Sequence, residues 1–324
     1  MRDHHIPVLL EAVLDLLAPP RDGVVVDCTG GSGGHARALG ERMGPRGRLV
    51  VLDRDGDAVA ALAERLRGVA PDVRCCHADF RDLDRVLAHA GVDRVDRLLA
   101  DLGLSSVQLD DPERGFSFQA PGPLDMRFDR SGGMPAEVLV NHAPLRELVR
   151  ILRQYGEEPC AEGVGAAIVA SRPMRDTVTL AEVIRRVVPR AAPGRDRATR
   201  SFQALRIAVN DELGALDQLL DRGIAALAPG GRMAVITFHS LETRRVKTAF
   251  RGAVKAGRVS LLTPKPIRPT KAERMRNPRS RSAVLRCVER LPFDDVGEGE
   301  RACARNAASR FPEAGARGGP DGVQ

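Results

Sequence analysis

Two short stretches of the chain carry residue types that could do chemistry. The first is Asp27-Cys28-Thr29-Gly30-Gly31-Ser32-Gly33-Gly34-His35, which follows the apolar run 23–26 and opens a helical pattern. Glycines let backbone approach a ligand closely, and a helix start presents free N–H donors. Gly31, Gly33 and Ala36 satisfy G-x-G-x-x-G/A, and Asp53 closes the next apolar run, twenty residues after Gly33. A carboxylate at that place can accept both hydroxyls of an adenosine ribose. A tight turn would also use these glycines; Asp53, in its strand–helix–strand setting, is what favours a ligand. The second stretch is Asp101-Leu102-Gly103, at the end of a fourth apolar run, where a bound ligand turns its reactive end. Nicotinamide dinucleotides and S-adenosylmethionine both fit such a frame. Asp27 and Asp101 favour the second, whose amino acid part they could meet, and no acid or base for hydride transfer stands out.

The elements that must hold these residues are readable from patterning. Runs at 23–27, 48–53, 73–77 and 95–101 alternate with helical stretches at 35–43, 58–62 and near Leu83, Val86 and Leu87. That alternation predicts a parallel sheet covered on both faces. Residues 103–135, rich in Gly, Pro and Asp, read as an ordered loop holding Phe116 and Phe118. Helical signal follows from Pro144, suited to a first turn, to about Pro189. Thr179 and Glu182 suggest a capping box there. Pro193-Gly194 closes that unit, and a helical region at 202–227 is broken near Asn210 or Gly214. Pro229-Gly230-Gly231 reads as a turn into a fifth strand, 232–238, and runs at 259–262 and 283–288 suit a terminal antiparallel pair. The expected domain organisation is a sheet domain in two parts, 1–135 and 201–291, around a helical insert at 136–200. A disordered tail at 292–324 completes it.

Composition narrows the function. The 324 residues contain no apolar run long enough to span a membrane, and the N-terminus offers no export signal. Six cysteines show neither disulfide nor metal spacing, which points to a reducing cytoplasm. His4-His5 and Cys75-Cys76-His77 suggest metal at first sight. Neighbouring cysteines in a strand point to opposite faces, however, so no metal site is expected. Charge is unevenly spread: residues 244–290 hold fifteen Lys/Arg against only Glu273 and Glu289, on an otherwise mildly acidic chain. Such a block suits a polyanion partner. Within it Lys265, Arg268, Lys271, Arg274, Arg276, Arg279 and Arg281 fall between prolines and read as a loop projecting from the sheet edge. Ten aromatics in the whole chain are too few for a base-stacking platform.

Several separated blocks also resemble the bacterial small-subunit rRNA cytosine-N4 methyltransferases of the RsmH (MraW) family, over about residues 4–290. They include His5-Ile6-Pro7-Val8-Leu9-Leu10, the 29–35 loop, Asp53-Arg54-Asp55 and the run from Asp101 to Asp110. Glu113-Arg114-Gly115-Phe116-Ser117-Phe118, Pro123-Leu124-Asp125-Met126-Arg127, Tyr155-Gly156-Glu157-Glu158 and the run from Thr199 to Ile207 continue the match. Phe238-His239-Ser240-Leu241-Glu242, Val246-Lys247 and Asn277-Pro278-Arg279-Ser280-Arg281-Ser282 complete it. The resemblance implies a class I methyltransferase fold, Rossmann-like, with a seven-stranded, mostly parallel sheet. It implies a cytoplasmic enzyme that uses S-adenosylmethionine to methylate the N4 of a cytidine in the decoding region of 16S rRNA. Its partner would be that rRNA or the small ribosomal subunit, with no membrane, and a homodimer is left open. Cofactor contacts carried over are Gly33, Gly34, His35, Asp53, Phe80, Asp101 and Gln108; Asp79, beside Phe80, would be the generic acceptor for the adenine amino group. The helical insert would help to recognise substrate.

The chain departs from many amino-group methyltransferases by lacking an Asn/Asp-Pro-Pro-aromatic motif after the fourth strand, where it has Asp101-Leu102-Gly103-Leu104. The N4 lone pair is delocalised into the ring, so an acceptor for an N4–H bond is still needed. Asp101 is the positional candidate for this catalytic role, with Asp125 or a carbonyl near Leu102 as alternatives, and a structural cap or ion pair as the plain reading. His239 either lines the cleft or caps the next helix. Phe116 and Phe118 either meet the base or anchor their loop. A ribosome-assembly factor with a vestigial cofactor fold is the non-enzymatic rival.

Overall fold

A computed structural model of the chain describes residues 6–189 and 196–292. His4, His5, Pro193, Gly194 and the tail after Pro292 lie outside them. In chain order the elements are α1 (Leu10–Leu17), β1 (Val24–Asp27), α2 (Gly34–Gly40), β2 (Arg48–Asp53), α3 (Gly56–Arg65), β3 (Asp72–His77), α4 (Leu83–His89), β4 (Val95–Asp101) and α5 (Ser106–Asp110). A helical group follows: α6 (Ala136–His142), α7 (Leu145–Gly156), α8 (Ala161–Ala170), α9 (Thr177–Val187) and α10 (Thr199–Asn210). The chain continues through α11 (Glu212–Ala226), β5 (Leu227–Thr237), α12 (Ser240–Lys255), β6 (Val259–Leu261), α13 (Lys271–Arg276) and β7 (Val284–Arg290).

The seven strands form one sheet in the order β3-β2-β1-β4-β5-β7-β6. All pairs from β3 to β5 are parallel, and β7 runs antiparallel between β5 and β6. Alternation along the strands feeds two cores. Val26, Val50, Leu52, Leu98 and Val235 meet α4, α11 and α12, whereas Val25, Leu49, Val51, Leu99 and Ile236 meet α1, α2 and α3. Each fully buried aliphatic contributes about 1.5–3 kcal/mol. Cys76 packs toward the first core and Cys75 toward the second, as expected of neighbours in a strand.

A third core joins α6–α10 to the segment after β4 through Phe116, Leu124, Met126, Leu148, Ile151, Ile184, Phe202 and Leu205. Helices α7 and α10 approach so closely that a Cβ on Gly156 would lie 2.7 Å from the Arg200 carbonyl oxygen.

Four local expectations need correction. The segment 103–135 is not all loop, because Ser105 and Gln108 form a reciprocal capping box that starts α5. Pro144 is the N-cap of α7 rather than its first residue, and α6 precedes it. Helix α9 begins earlier than Thr179 and Glu182 suggest, since Asp176 is its N-cap and accepts both the Thr179 N–H and the Thr179 hydroxyl, each at 2.8 Å. Pro229-Gly230-Gly231 lies inside β5 as a bulge: Gly230 has φ +72°, and pairing with β4 resumes across it at Arg97 and Arg232. The break at 210–211 is where it was expected, with Asp211 at φ +48°. Asp176→Ala is expected to cost about 1 kcal/mol and Thr179→Ala less, as read from chemical denaturation midpoints.

Candidate functional site

The strand order reverses between β1 and β4, and the crevice beyond their C-terminal ends is where a sheet of this kind holds a ligand. It contains about 1200 Å³ of open space. The glycine loop enters it tied by hydrogen bonds to two strands. Gly30 N–H donates to the Leu52 carbonyl at 2.7 Å, and Cys28 N–H to the Leu99 carbonyl at 2.9 Å. Gly33, at φ +79°, starts α2 in a conformation that favours glycine.

Asp53 lies on the cleft wall, where its Oδ2 accepts the Gly31 N–H at 2.6 Å and its Oδ1 the Asp55 N–H at 2.8 Å. Burial raises its pKa, against those two N–H groups. Each oxygen retains a further acceptor site. Gly34, His35, Phe80, Asp101 and Gln108 also line the crevice; Gly33 supports it from behind as the N-cap of α2. Asp79 is present too, but its carboxylate is taken by the Arg81 side chain and N–H, with Arg54 at 3.2 Å. The Gln108 side chain is also committed, accepting the Ser105 N–H and donating to Asp55 Oδ2 at 2.8 Å. Asp55 is further paired with Arg114 at 2.5 Å, both nearly inaccessible. Sequence reading gave Asp55 and Arg114 no role, yet they bind the wall from β2 to the wall after β4.

Two carboxyls end the central strands here: Asp101 lines the crevice, and Asp27 is buried outside its wall. Asp27 Oδ1 accepts the Thr29 N–H at 3.0 Å, while its Oδ2 is buried with no partner. Burial pushes Asp27 up to about 7, with Thr29 opposing and Asp53 adding to the rise. Asp101 donates its N–H to Thr29 Oγ1 at 2.7 Å, and its Oδ1 is likewise buried and unpartnered. Burial, then Asp27 and Glu242, drive its pKa well above the usual carboxylate range.

Sequence reading did not single out Glu212, Glu242 or Arg206. Glu212 and Glu242 face the crevice, and Arg206 grips both oxygens of Glu212 at 2.7 and 2.9 Å. Burial opposes the charge on Glu242, but His239, the Phe238 N–H and Arg206 outweigh it and lower its pKa. Ligand atoms of Glu212, His239 and Glu242 lie within 4.8 Å of one another, in metal-like proximity. Arg206 already supplies the positive charge that such a cluster needs. His239 is the N-cap of α12 in a capping box with Glu242, so the capping alternative holds.

Asp125, the other acid that sequence reading offered as an acceptor, lies away from Asp101's crevice. It is absent from the crevice wall and is held by the Arg127 N–H and guanidinium at 2.8–3.1 Å. Burial opposes its ionisation, but Arg127 and Arg130 prevail and lower its pKa.

A second hollow, about 1390 Å³ of space including open solvent, adjoins the first, the two sharing Leu104, Phe238 and Arg279. Phe116 and Phe118 line it while packing on Phe128 and Phe202, with centroids at 5.6 and 4.7 Å, so they anchor their loop and face the cavity at once. The basic segment is not a projecting loop. It folds into α13 and a 3₁₀ turn and packs back on the N-terminal strap: Glu273 accepts the Leu9 N–H at 2.7 Å, and Asn277 Nδ2 donates to the Ile6 carbonyl at 2.8 Å. Arg279 pairs with Asp110 at 2.6 Å, a neutralisation that charge counting along the chain missed. Lys271, Arg274 and Arg276 are exposed, with no carboxylate partner among the described residues.

Residues 2–291 match the MraW methylase family. The chain is similar to the ribosomal RNA small subunit methyltransferase H of Halorhodospira halophila, at 50% identity over 308 residues covering 89% of this chain and 94% of that protein. The protein of the same description from Thermomicrobium roseum is 49% identical over 315 residues, 90% of this chain and 94% of its own. That of Citrifermentans bemidjiense is 46% identical over 309 residues, 89% and 99% respectively.

The buried Asp27 carries a stability signature. Folded, Asp27 keeps its proton up to about pH 7; unfolded, it loses it near 3.8. The folded state therefore binds more protons in that window, and the stability present below it is lost as pH rises through about 7. Asp27→Asn cannot ionise and keeps the Thr29 acceptor. Thermal melts between about pH 5 and pH 8 are expected to show a fall in Tm for the parent that is flattened in the variant.

Proposed function

The chain belongs to the MraW methylase family, and from that premise we propose that it is an S-adenosylmethionine-dependent methyltransferase acting on the exocyclic N4 of a cytidine in the decoding region of 16S rRNA. The observation that carries the cofactor is Asp101 on the crevice wall, with Asp27 buried near it, each with a side-chain oxygen that has no hydrogen-bond partner among the described residues. A ligand bearing sulfonium and ammonium charges suits that pair, whereas the pyrophosphate of a nicotinamide dinucleotide adds anions to a region already short of cations.

When bound, S-adenosylmethionine supplies an electrophilic methyl group. The residues of the chain would hold it and prepare the amine. Asp53, fixed by Gly31 and Asp55, offers its remaining acceptor sites to the ribose hydroxyls. Phe80 offers an apolar face to adenine, a role favoured by the commitment of Asp79 to arginines. Gly34 and His35 bring backbone close, Gly33 turns the chain behind them, and Gln108 braces Asp55 from the facing wall. Asp101 accepts an N4–H of the cytosine and so localises the nitrogen lone pair toward the methyl group.

The second cavity, next to Asp101 across Leu104 and Phe238, suits the target nucleotide. On this reading the methyltransferase domain comprises 1–135 and 201–291, and the insert at 136–200 recognises substrate, with α10 sharing its core. The exposed cations of α13 meet rRNA phosphates, which orient without reading sequence. No helix among the described residues is long and apolar enough to cross a membrane. On this reading a ribosomal substrate supports a cytoplasmic enzyme.

Calorimetry is expected to show S-adenosylmethionine binding and no NAD binding; silence toward the first would leave the assembly-factor reading. Asp53→Ala is expected to cost about 1.5–3 kcal/mol of cofactor affinity. Changing Lys271, Arg274 and Arg276 together to Ala is expected to lower the salt slope of RNA binding by about three units, one per phosphate contact. Cofactor affinity should stay unchanged, and a parental slope would move the RNA surface to the insert.

A further inference from the structure

His35 is held from two sides. Its Nε2 lies 2.9 Å from the Val8 carbonyl oxygen. A carbonyl only accepts, so that nitrogen carries the hydrogen. In the neutral ring Nδ1 is then the acceptor, and it faces Asp101 Oδ2 at 3.5 Å. The tautomer is therefore set by the position of Val8, and Val8 is not free to move. Its neighbour Leu9 donates to Glu273, Ile6 accepts from Asn277, and a Cβ on Gly34 would strike Pro7 Cγ at 2.5 Å.

The groups acting on the Asp101 carboxyl come from three elements. Asp27 ends β1 and Glu242 lies in the first turn of α12, and both are acids that oppose its ionisation. His35, in the first turn of α2, is the basic side chain in contact with it. The carboxyl is fixed through its own backbone by Thr29. Burial and these two acids favour the protonated form of Asp101, and the one base in contact with it among the described residues is the His35 ring.

We propose that His35 is a positioning residue for methyl transfer, taking the Asp101 proton on Nδ1 so that Asp101 meets the amine as a carboxylate. The Asp101 O–H bond breaks, an Nδ1–H bond forms, and an imidazolium stands beside the carboxylate with its Nε2–H still on Val8. The strap formed by residues 6–9, with Glu273 and Asn277 behind it, keeps the ring in the orientation this transfer requires. The inference rests on the proposed function, and its failure is separable from the failure of that reading.

Two measurements test it. Long-range proton–nitrogen NMR of the chain labelled at histidine nitrogen, with the His35 signals identified by their loss in His35→Gln, is expected to show Nε2 protonated and Nδ1 gaining its proton as pH falls. A neutral ring protonated at Nδ1 would overturn the proposal. His35→Gln keeps an amide nitrogen that can reach Val8 but has no base at Nδ1. Its affinity for S-adenosylmethionine is expected to stay within about threefold of the parent, while kcat on unmethylated small subunits falls by about tenfold or more. The acid limb of its kcat profile should move to higher pH, because Asp101 then keeps its proton longer. A parental kcat and pH profile would overturn the role of His35. Absence of cofactor binding by the parent would defeat the proposed function instead.

Discussion

Two buried carboxyls end neighbouring parallel strands with no Lys or Arg paired to them among the described residues, and the site is organised around that constraint. Asp27 and Asp101 lie on β1 and β4, the strands between which the sheet order reverses. Like charges so near each other, out of water, cannot both be ionised cheaply. One residue ties the pair: Thr29 gives its N–H and hydroxyl to Asp27 and receives the Asp101 N–H on the same hydroxyl oxygen. The conformation of the loop follows from this, because Thr29 can serve both strands only if the chain turns at once, and the glycines permit that turn.

The second demand is that walls far apart in sequence be held rigidly over this pair. Asp55, just after β2, is the anchor for Gln108 and Arg114, just after β4, and Arg114 also binds the carbonyls of Arg127 and Phe128. Asn210, at the end of α10, donates to the Met126 carbonyl and accepts the Phe128 N–H, which seats the helical group on the same loop. Arg206, one turn earlier, reaches Glu212 across the break at Asp211. These buried polar contacts are fully paired for the most part, and a network of that kind fixes geometry more than it adds stability. The helical group and the sheet therefore present two adjoining cavities rather than two separate surfaces.

The N-terminal strap and the basic segment show a third use of the same economy. Residues 6–9 contact α2 through His35 and α13 through Glu273 and Asn277, so a segment that carries exposed cations also sets the orientation of an imidazole in the cleft. Charge on the outside and proton position on the inside are thus linked through backbone hydrogen bonds of the strap.

Much of this was legible in the sequence. The runs ending at Asp27, Asp53 and Asp101, with glycines after the first, place the strands, the switch point and the acids at the strand ends, because strand period and turn chemistry are local properties. The Ser105–Gln108 box was equally local and was there to be read. Other features depend on neighbours that only folding supplies. Asp125 and Asp101 are both acids in matching motifs, yet Arg127 and Arg130 lower the pKa of one away from the cleft, while burial raises that of the other, which meets no arginine and only the His35 ring. Arg279 looks unneutralised along the chain and meets Asp110 across it. Glu212, Glu242 and Arg206 become one charge cluster only when α10, α11 and α12 converge. The sequence determined which groups could titrate and where strands would end; the tertiary structure decided which carboxyls find a cation and which do not, because that depends on distance and water exclusion rather than on order along the chain.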